Sequence, residues 1–188
     1  MTKSLSGHCL IASKQLRDPN FYKSAVLIIE HGSHGAMGLV INRPSSVLVQ
    51  HALAQFFDLH SIQQPVYVGG PVEPRALLVL HNRSELAAPE RPIVPGVYIG
   101  NSENAFKEVM RRASEGEQDL KFRIFSGCAG WAPDQLEGEL ARGDWHTAPA
   151  CRDIVFHEDP YEVYDAVLKR VHEAHRVIPQ SCPNPTWN

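Results

Sequence analysis

Residues 121–140, Lys-Phe-Arg-Ile-Phe-Ser-Gly-Cys-Ala-Gly-Trp-Ala-Pro-Asp-Gln-Leu-Glu-Gly-Glu-Leu, constrain the fold more than any other stretch of this chain. Lys121 to Phe125 alternates polar and apolar residues and ends on a β-prone aromatic, so it predicts a strand. Gly127 and Gly130 then permit backbone angles that a side chain forbids, which predicts a tight turn. Pro133 suits the first turn of a helix, and Asp134 behind it favours the positive end of the helix dipole. Leu136 and Leu140 lie four apart and give that helix one apolar face. The expected unit is strand, glycine turn, helix, with the turn free to present a function.

The 188 residues suffice for one good core. A formal net charge of −3 argues against a partner that must have many phosphates neutralised, so nucleic acid is disfavoured. No apolar run approaches the length of a membrane span, and the N-terminal Met-Thr-Lys-Ser-Leu-Ser-Gly-His lacks the apolar segment of a signal peptide. The expectation is a cytoplasmic protein with no membrane partner, a monomer or a homodimer. Cys9, Cys128, Cys151 and Cys182 form no Cys-x-x-Cys pair and read as free thiols.

Taken in order, residues 8–12 read as a short buried strand, and Asp18-Pro19-Asn20 as a turn. Ser24 to Glu30 is apolar on both alternating faces, which predicts a central strand covered on both sides. The 31–35 turn joins it in a hairpin to a strand over 36–41, which Asn42-Arg43-Pro44-Ser45 ends. The spacing of Val47, Leu48, His51, Ala52, Ala54, Gln55 and Phe56 predicts a helix over 47–58. Strands follow at 66–68, 75–81 and 97–100, with a Pro-rich loop over 87–96. Ser102 caps a helix running to about Ala113. Beyond Leu140, Gly143 ends the helix and Trp145 packs back. Residues 153–156 read as a strand, and a last helix starts at Pro160 with the stripe Tyr164, Val167, Leu168, Val171 and Ala174. Strands interleaved with about four helices predict a mixed sheet in one α+β domain over residues 1–178, with a loose tail over 179–188.

Several stretches together resemble the YqgE/AlgH family. They are Asp18-Pro19-Asn20-Phe21, Glu30-His31, Gly35-Ala36-Met37-Gly38-Leu39-Val40-Ile41-Asn42-Arg43-Pro44, Val68-Gly69-Gly70-Pro71-Val72, Gly127-Cys128-Ala129-Gly130-Trp131 and Gln135-Leu136-Glu137, in family order and spacing. The resemblance implies a single compact domain whose mixed sheet is barrel-like and flanked by helices. It also implies a cytosolic bacterial protein with no established enzymatic activity, in a family of which one branch is described as a transcriptional regulator of alginate synthesis. The family position of Cys128 is often aromatic, so the resemblance hands down no thiol mechanism, and the chain past residue 178 lies outside it.

The candidate ligand-binding residues lie in three loops. Asn42 and Arg43 follow a buried strand, where the planar guanidinium suits a carboxylate or phosphate, although turn chemistry alone explains Asn42 and Pro44. Gly69 and Gly70 let a ligand approach the backbone or make a plain turn; neither a Walker loop nor a Gly-x-Gly-x-x-Gly is present. Gly127, Cys128 and Trp131 sit at the expected helix start, where Asp134 and Glu137 favour self-capping over an anion. Cys128 as a nucleophile needs a base, for which His8, His31, His34, His51 and His81 are available only in space. Trp131 reads as a core anchor, or as a binding surface if exposed. Neither His31 with His34 nor His172 with His175 brings the further ligands that zinc requires. No catalytic residue, metal or cofactor is therefore assigned. The leading reading is a non-catalytic binding or regulatory module acting on a protein or small-molecule partner. The rivals are a small-molecule or anion site where the three loops converge, and a DNA-binding regulator.

Overall fold

The computed structural model describes residues 4–59, 62–87, 91–100 and 102–174. At its centre is β2 (Ala25–Gly32), whose first five residues are all buried. Leu27 and Ile29 enter one apolar cluster, and Val26 and Ile28 enter another on the opposite face. A strand covered on both sides can be apolar at every position, as the sequence predicts. β1 (His8–Ala12) and β3 (Gly35–Val40) flank it antiparallel, the latter as the expected hairpin.

The remaining strands are β4 (Pro44–Leu48), β5 (Pro65–Val68), β6 (Val72–His81), β7 (Tyr98–Gly100), β8 (Phe122–Trp131) and β9 (Trp145–Pro149). The nine-stranded sheet runs β4-β5-β8-β3-β2-β1-β9, and β6 carries β7 on the other side of β8. Among the described residues only β5 and β8 pair in parallel and the other pairs are antiparallel, so the sheet is mixed. β4, β7 and β9 each have one neighbour, and the sheet does not close into a barrel.

β8 departs from the sequence reading. The expected turn at 127–130 lies inside a ten-residue strand. Phe122 to Ser126 pairs with β6 and β5, whereas Ala129 to Trp131 pairs with β3. Gly127, at φ +71°, lies in the irregular stretch of β8 between Ser126, paired with Leu77, and Cys128, paired with Val72. Between those pairs lie residues 73–76 on β6 but Gly127 alone on β8, so the bulge is on β6, and the left-handed Gly127 bends β8 without ending it.

The helices also differ in detail from the sequence reading. The helix expected over 47–58 is one turn, α1 (Val49–Ala52), because Val47 and Leu48 belong to β4. β-branched Val47 holds χ1 stiffly and favours the strand. α2 (Glu103–Ser114) begins as expected, with Ala105 N–H donating to the Ser102 hydroxyl at 3.0 Å. α3 (Gln135–Ala141) buries Leu136, with Leu140 packed beside it. The expected acid cap does not form: Asp134 sits at φ 61° without a capping bond, and Gln135 Oε1 accepts from Ala132 N–H instead. The strand expected over 153–156 is one helical turn, α4 (Arg152–Val155). Two adjacent buried residues, Ile154 and Val155, look alike in either state. α5 (Val163–Ala174) buries Val163, Val167 and Val171 at helical spacing. There are thus five α-helices among the described residues, against about four expected. The tail predicted over 179–188 lies outside the described residues.

The bend in β8 generates a test. A methyl group at Gly127 meets the carbonyl oxygens of Gly70 and Val72, whereas one at Gly116, also left-handed at φ +70°, meets nothing within 4 Å. Gly116→Ala should cost about 1 kcal/mol in urea unfolding, the backbone contribution alone. Gly127→Ala should cost at least about 2 kcal/mol more, because backbone atoms must move. Equal losses would show that the approach at Gly127 is not close enough to matter.

Candidate functional site

The two glycine loops meet, backbone against backbone. Gly69 N–H donates to Ser126 O at 2.9 Å, and Val40 N–H donates to Gly69 O at 2.8 Å. A methyl group at Gly69 overlaps the Gly127 carbonyl, and one at Gly70 overlaps the Cys128 carbonyl. The glycines therefore let β3, β5, β6 and β8 cross closely, and the space a ligand would need is filled by peptide groups.

Asn42 and Arg43 hold the loop before β2. The Asn42 side chain accepts from Ala25 N–H at 2.8 Å and donates to Lys23 O at 2.9 Å. The Arg43 guanidinium donates to Asn20 O, to Tyr22 O and, at 3.1 Å, to the Ser24 hydroxyl. Its own carbonyl accepts from Val68 N–H, which ties this corner to the Gly69 loop. Asn42, Arg43 and Pro44 also line a cavity of about 280 Å³, together with Tyr22, Lys23, Tyr161, Tyr164 and Asp165.

Trp131 points elsewhere. It is buried, and Phe21 stacks on it while Trp145 meets it edge-on. Both indole N–H groups donate to Glu139 Oε2, at 2.9 and 2.8 Å, and Gln135 donates to Oε1. This cluster anchors α3 to the sheet, which is the core-anchor reading of Trp131.

A larger site is built by residues the sequence did not nominate. A groove of about 900 Å³ lies where the turn after α1, the start of α2, β6 and the β2–β3 hairpin meet. Phe56, Phe57, Phe106, Leu77, Leu78 and Ile99 line its apolar part; Glu30, Glu103 and Lys107 are among its polar groups. Phe56 is 75% exposed and Leu77 37% exposed. β7 pairs with β6 only at Val79–His81 and the chain then turns into α2, so Leu77 and Leu78 have no strand beside them on that side among the described residues. Phe56 fitted a helical stripe in the sequence. Its exposure follows from the early end of α1.

The AlgH-like family model (DUF179) matches residues 9–176. The chain belongs to the AlgH-like family. A UPF0301 protein of Chromobacterium violaceum is 41% identical over 176 residues, covering 88% of this chain and 89% of that protein. One from Myxococcus xanthus is 35% identical over 170 residues, covering 89% and 91%. The solution structure of the AlgH protein of Pseudomonas aeruginosa superposes with a TM-score of 0.72 at 32% identity, over 91% of this chain and 90% of that one. A crystal structure from Corynebacterium diphtheriae, at 24% identity and a TM-score of 0.71 over 90% and 88%, shows the same fold.

In this AlgH-like domain the Cys128 thiol is half-buried, and burial, with Glu73 adding, raises its pKa. The hydrogen bonds of His8, His31, His51 and His81 go to Ser6, to Leu5 and Glu137, to Gln50 and to Arg83. His31 instead bridges the N-terminal segment to α3: Leu5 N–H donates to Nδ1 at 3.0 Å, and Nε2 lies 2.9 Å from Glu137. No group of three His, Cys, Asp or Glu suited to a metal ion occurs among the described residues, and no helix there is long and apolar enough to cross a membrane.

His81 is fully buried. Arg83 N–H donates to its Nδ1, which leaves the proton on Nε2, and Nε2 has no partner. Burial lowers its pKa from 6.5, and Arg112 pushes the same way while Glu85 opposes. The unfolded chain therefore takes up a proton below about pH 6.5 that the folded chain refuses. Stability from this group is present above that pH and lost as pH falls. Urea unfolding of His81→Phe should fall less steeply between pH 6.5 and 5 than that of the wild type; parallel curves would remove His81 as the cause.

Proposed function

We propose that this AlgH-like domain is a non-catalytic binding module whose groove takes an extended, apolar segment of a partner protein as an added strand. The observation that carries this reading is the open edge of β6 at Leu77 and Leu78 on the floor of a groove walled by Phe56, Phe57 and Phe106. An unpaired strand edge offers N–H and C=O groups to an incoming chain, and apolar pockets beside it select alternate side chains. An apolar patch rimmed by polar residues marks an interaction surface rather than a random exposure.

The regulatory role that the family resemblance brings is read as acting through this protein contact and not through DNA. The arginines of α2 are already matched: Arg111 pairs with Glu108 and Glu115, and Arg112 with Glu85 and Glu108. Such pairs leave little positive field for phosphates.

Peptides selected from a random library against the purified domain test the reading. They should carry alternating apolar residues. Leu77→Asp, which places a charge on the groove floor, should weaken them by about tenfold or more, whereas Tyr161→Ala outside the groove should not. Selected peptides that bind wild type and Leu77→Asp equally would move the site away from the groove.

A further inference from the structure

We propose that the cavity between the 22–23 turn and the start of α5 is a second, separate ligand site, for one aromatic ring system carrying a phosphate or carboxylate, such as the base of a nucleoside monophosphate. Three observations converge on it. The first is charge. Lys23 and Arg43 line the cavity with one carboxylate, Asp165, so cations outnumber acids there by two to one. Arg43 is spent on carbonyls and the Ser24 hydroxyl, which leaves Lys23, whose ammonium lies 5.9 Å from the Tyr22 ring centroid, as the group able to turn onto an anion.

The second is the aromatic surface. Tyr22 and Tyr161 line the same cavity and are 70% and 74% exposed, although neither belongs to an apolar cluster. Exposed rings beside a cation are the elements that bind a planar anion: the ring stacks and the charge is met from the side. Tyr164 differs from them, because its hydroxyl donates to Ala12 O at 2.8 Å and its half-buried ring packs on the core below.

The third is backbone strain. Lys23 has φ 50°, a left-handed conformation. Of the four non-glycine residues at positive φ among the described residues, two are aspartates, which tolerate that region well. A lysine does not have that excuse. The Asn42 amide holds its carbonyl, and Arg43 holds those of Asn20 and Tyr22. Two side chains thus keep Lys23 in a conformation that glycine would adopt without strain, and strain of this kind is retained where the side chain has a task. This gives the Asn42-Arg43 corner a role as the scaffold of the site, with Tyr22, Lys23 and Tyr161 as its contacts.

Isothermal titration calorimetry and amide chemical shifts with adenosine 5′-monophosphate test the site, beside separate titrations with adenosine, inorganic phosphate and 4-hydroxybenzoate. The monophosphate should bind wild type with a dissociation constant no weaker than about 1 mM, and more tightly than adenosine or phosphate alone. Lys23→Gly should be at least as stable as wild type in urea, because the strain is relieved, yet bind the monophosphate about tenfold more weakly. Tyr161→Ala should weaken the monophosphate and leave inorganic phosphate unchanged. Phe56→Ala, in the groove, should change neither. Tighter binding of 4-hydroxybenzoate would assign the site to aromatic acids rather than nucleotides, within the same chemistry. Two outcomes overturn the proposal. One is the absence of binding by any of these ring-bearing anions at millimolar concentration. The other is equal binding by wild type and Lys23→Gly.

Discussion

The structure depends on one strand being allowed to bend. β8 pairs with both β3 and β6, so the two halves of the sheet are joined through it. Gly127 makes the bend, and Gly69 and Gly70 let the neighbouring chain pass within hydrogen-bonding distance. Without that crossing, β9, β1, β2 and β3 would stand apart from β4, β5, β8, β6 and β7, and β3 would become an open edge. Exposed edges invite pairing with other chains, so the bend also keeps the fold to itself.

The packing follows from this division. The face of β2 that carries Leu27 and Ile29 meets α4 and α5, while Val26 and Ile28 meet α3 and the indoles. α1 and α2 cover the other half through Val49, Val109 and Met110. The buried Arg123 joins these regions. Its guanidinium donates to Ile41 O and His157 O and lies 4.6 Å from the Tyr67 ring centroid. Its charge is met by carbonyl dipoles and a ring face rather than by a carboxylate, an arrangement open to Arg because its guanidinium is planar and weakly hydrated.

Much of this was legible in the sequence. The double-sided apolar run of β2, the hairpin to β3, the Ser102 cap and, in the apolar stripe of α5, Val167 and Val171 are local patterns, and local patterns survive folding. The glycine stretch at 127–130 was misread for a physical reason. Glycine announces an unusual backbone angle, but the same angle serves a turn or a bulge, and the difference lies in partners far along the chain. Val72 and Leu77 of β6 decide it, some fifty residues earlier. One-turn helices such as α1 and α4 are invisible for a similar cause, since four residues carry no period.

The two sites were hidden to different degrees. Asn42 and Arg43 were nominated by type, and they do line a cavity, yet their side-chain bonds mostly fix the backbone of residues 20–25. The groups left open to a ligand, Tyr22, Lys23 and Tyr161, come from places almost 140 residues apart, and no spacing rule links them. The groove is a product of mismatch: β7 is too short to cover β6, and α1 is too short to bury Phe56. Both features are failures of local structure to extend as far as the sequence allows. A fold that left such edges and rings uncovered without use would carry an association hazard, which is why function is more economically sought there than in the glycine loops, where peptide groups already fill the space.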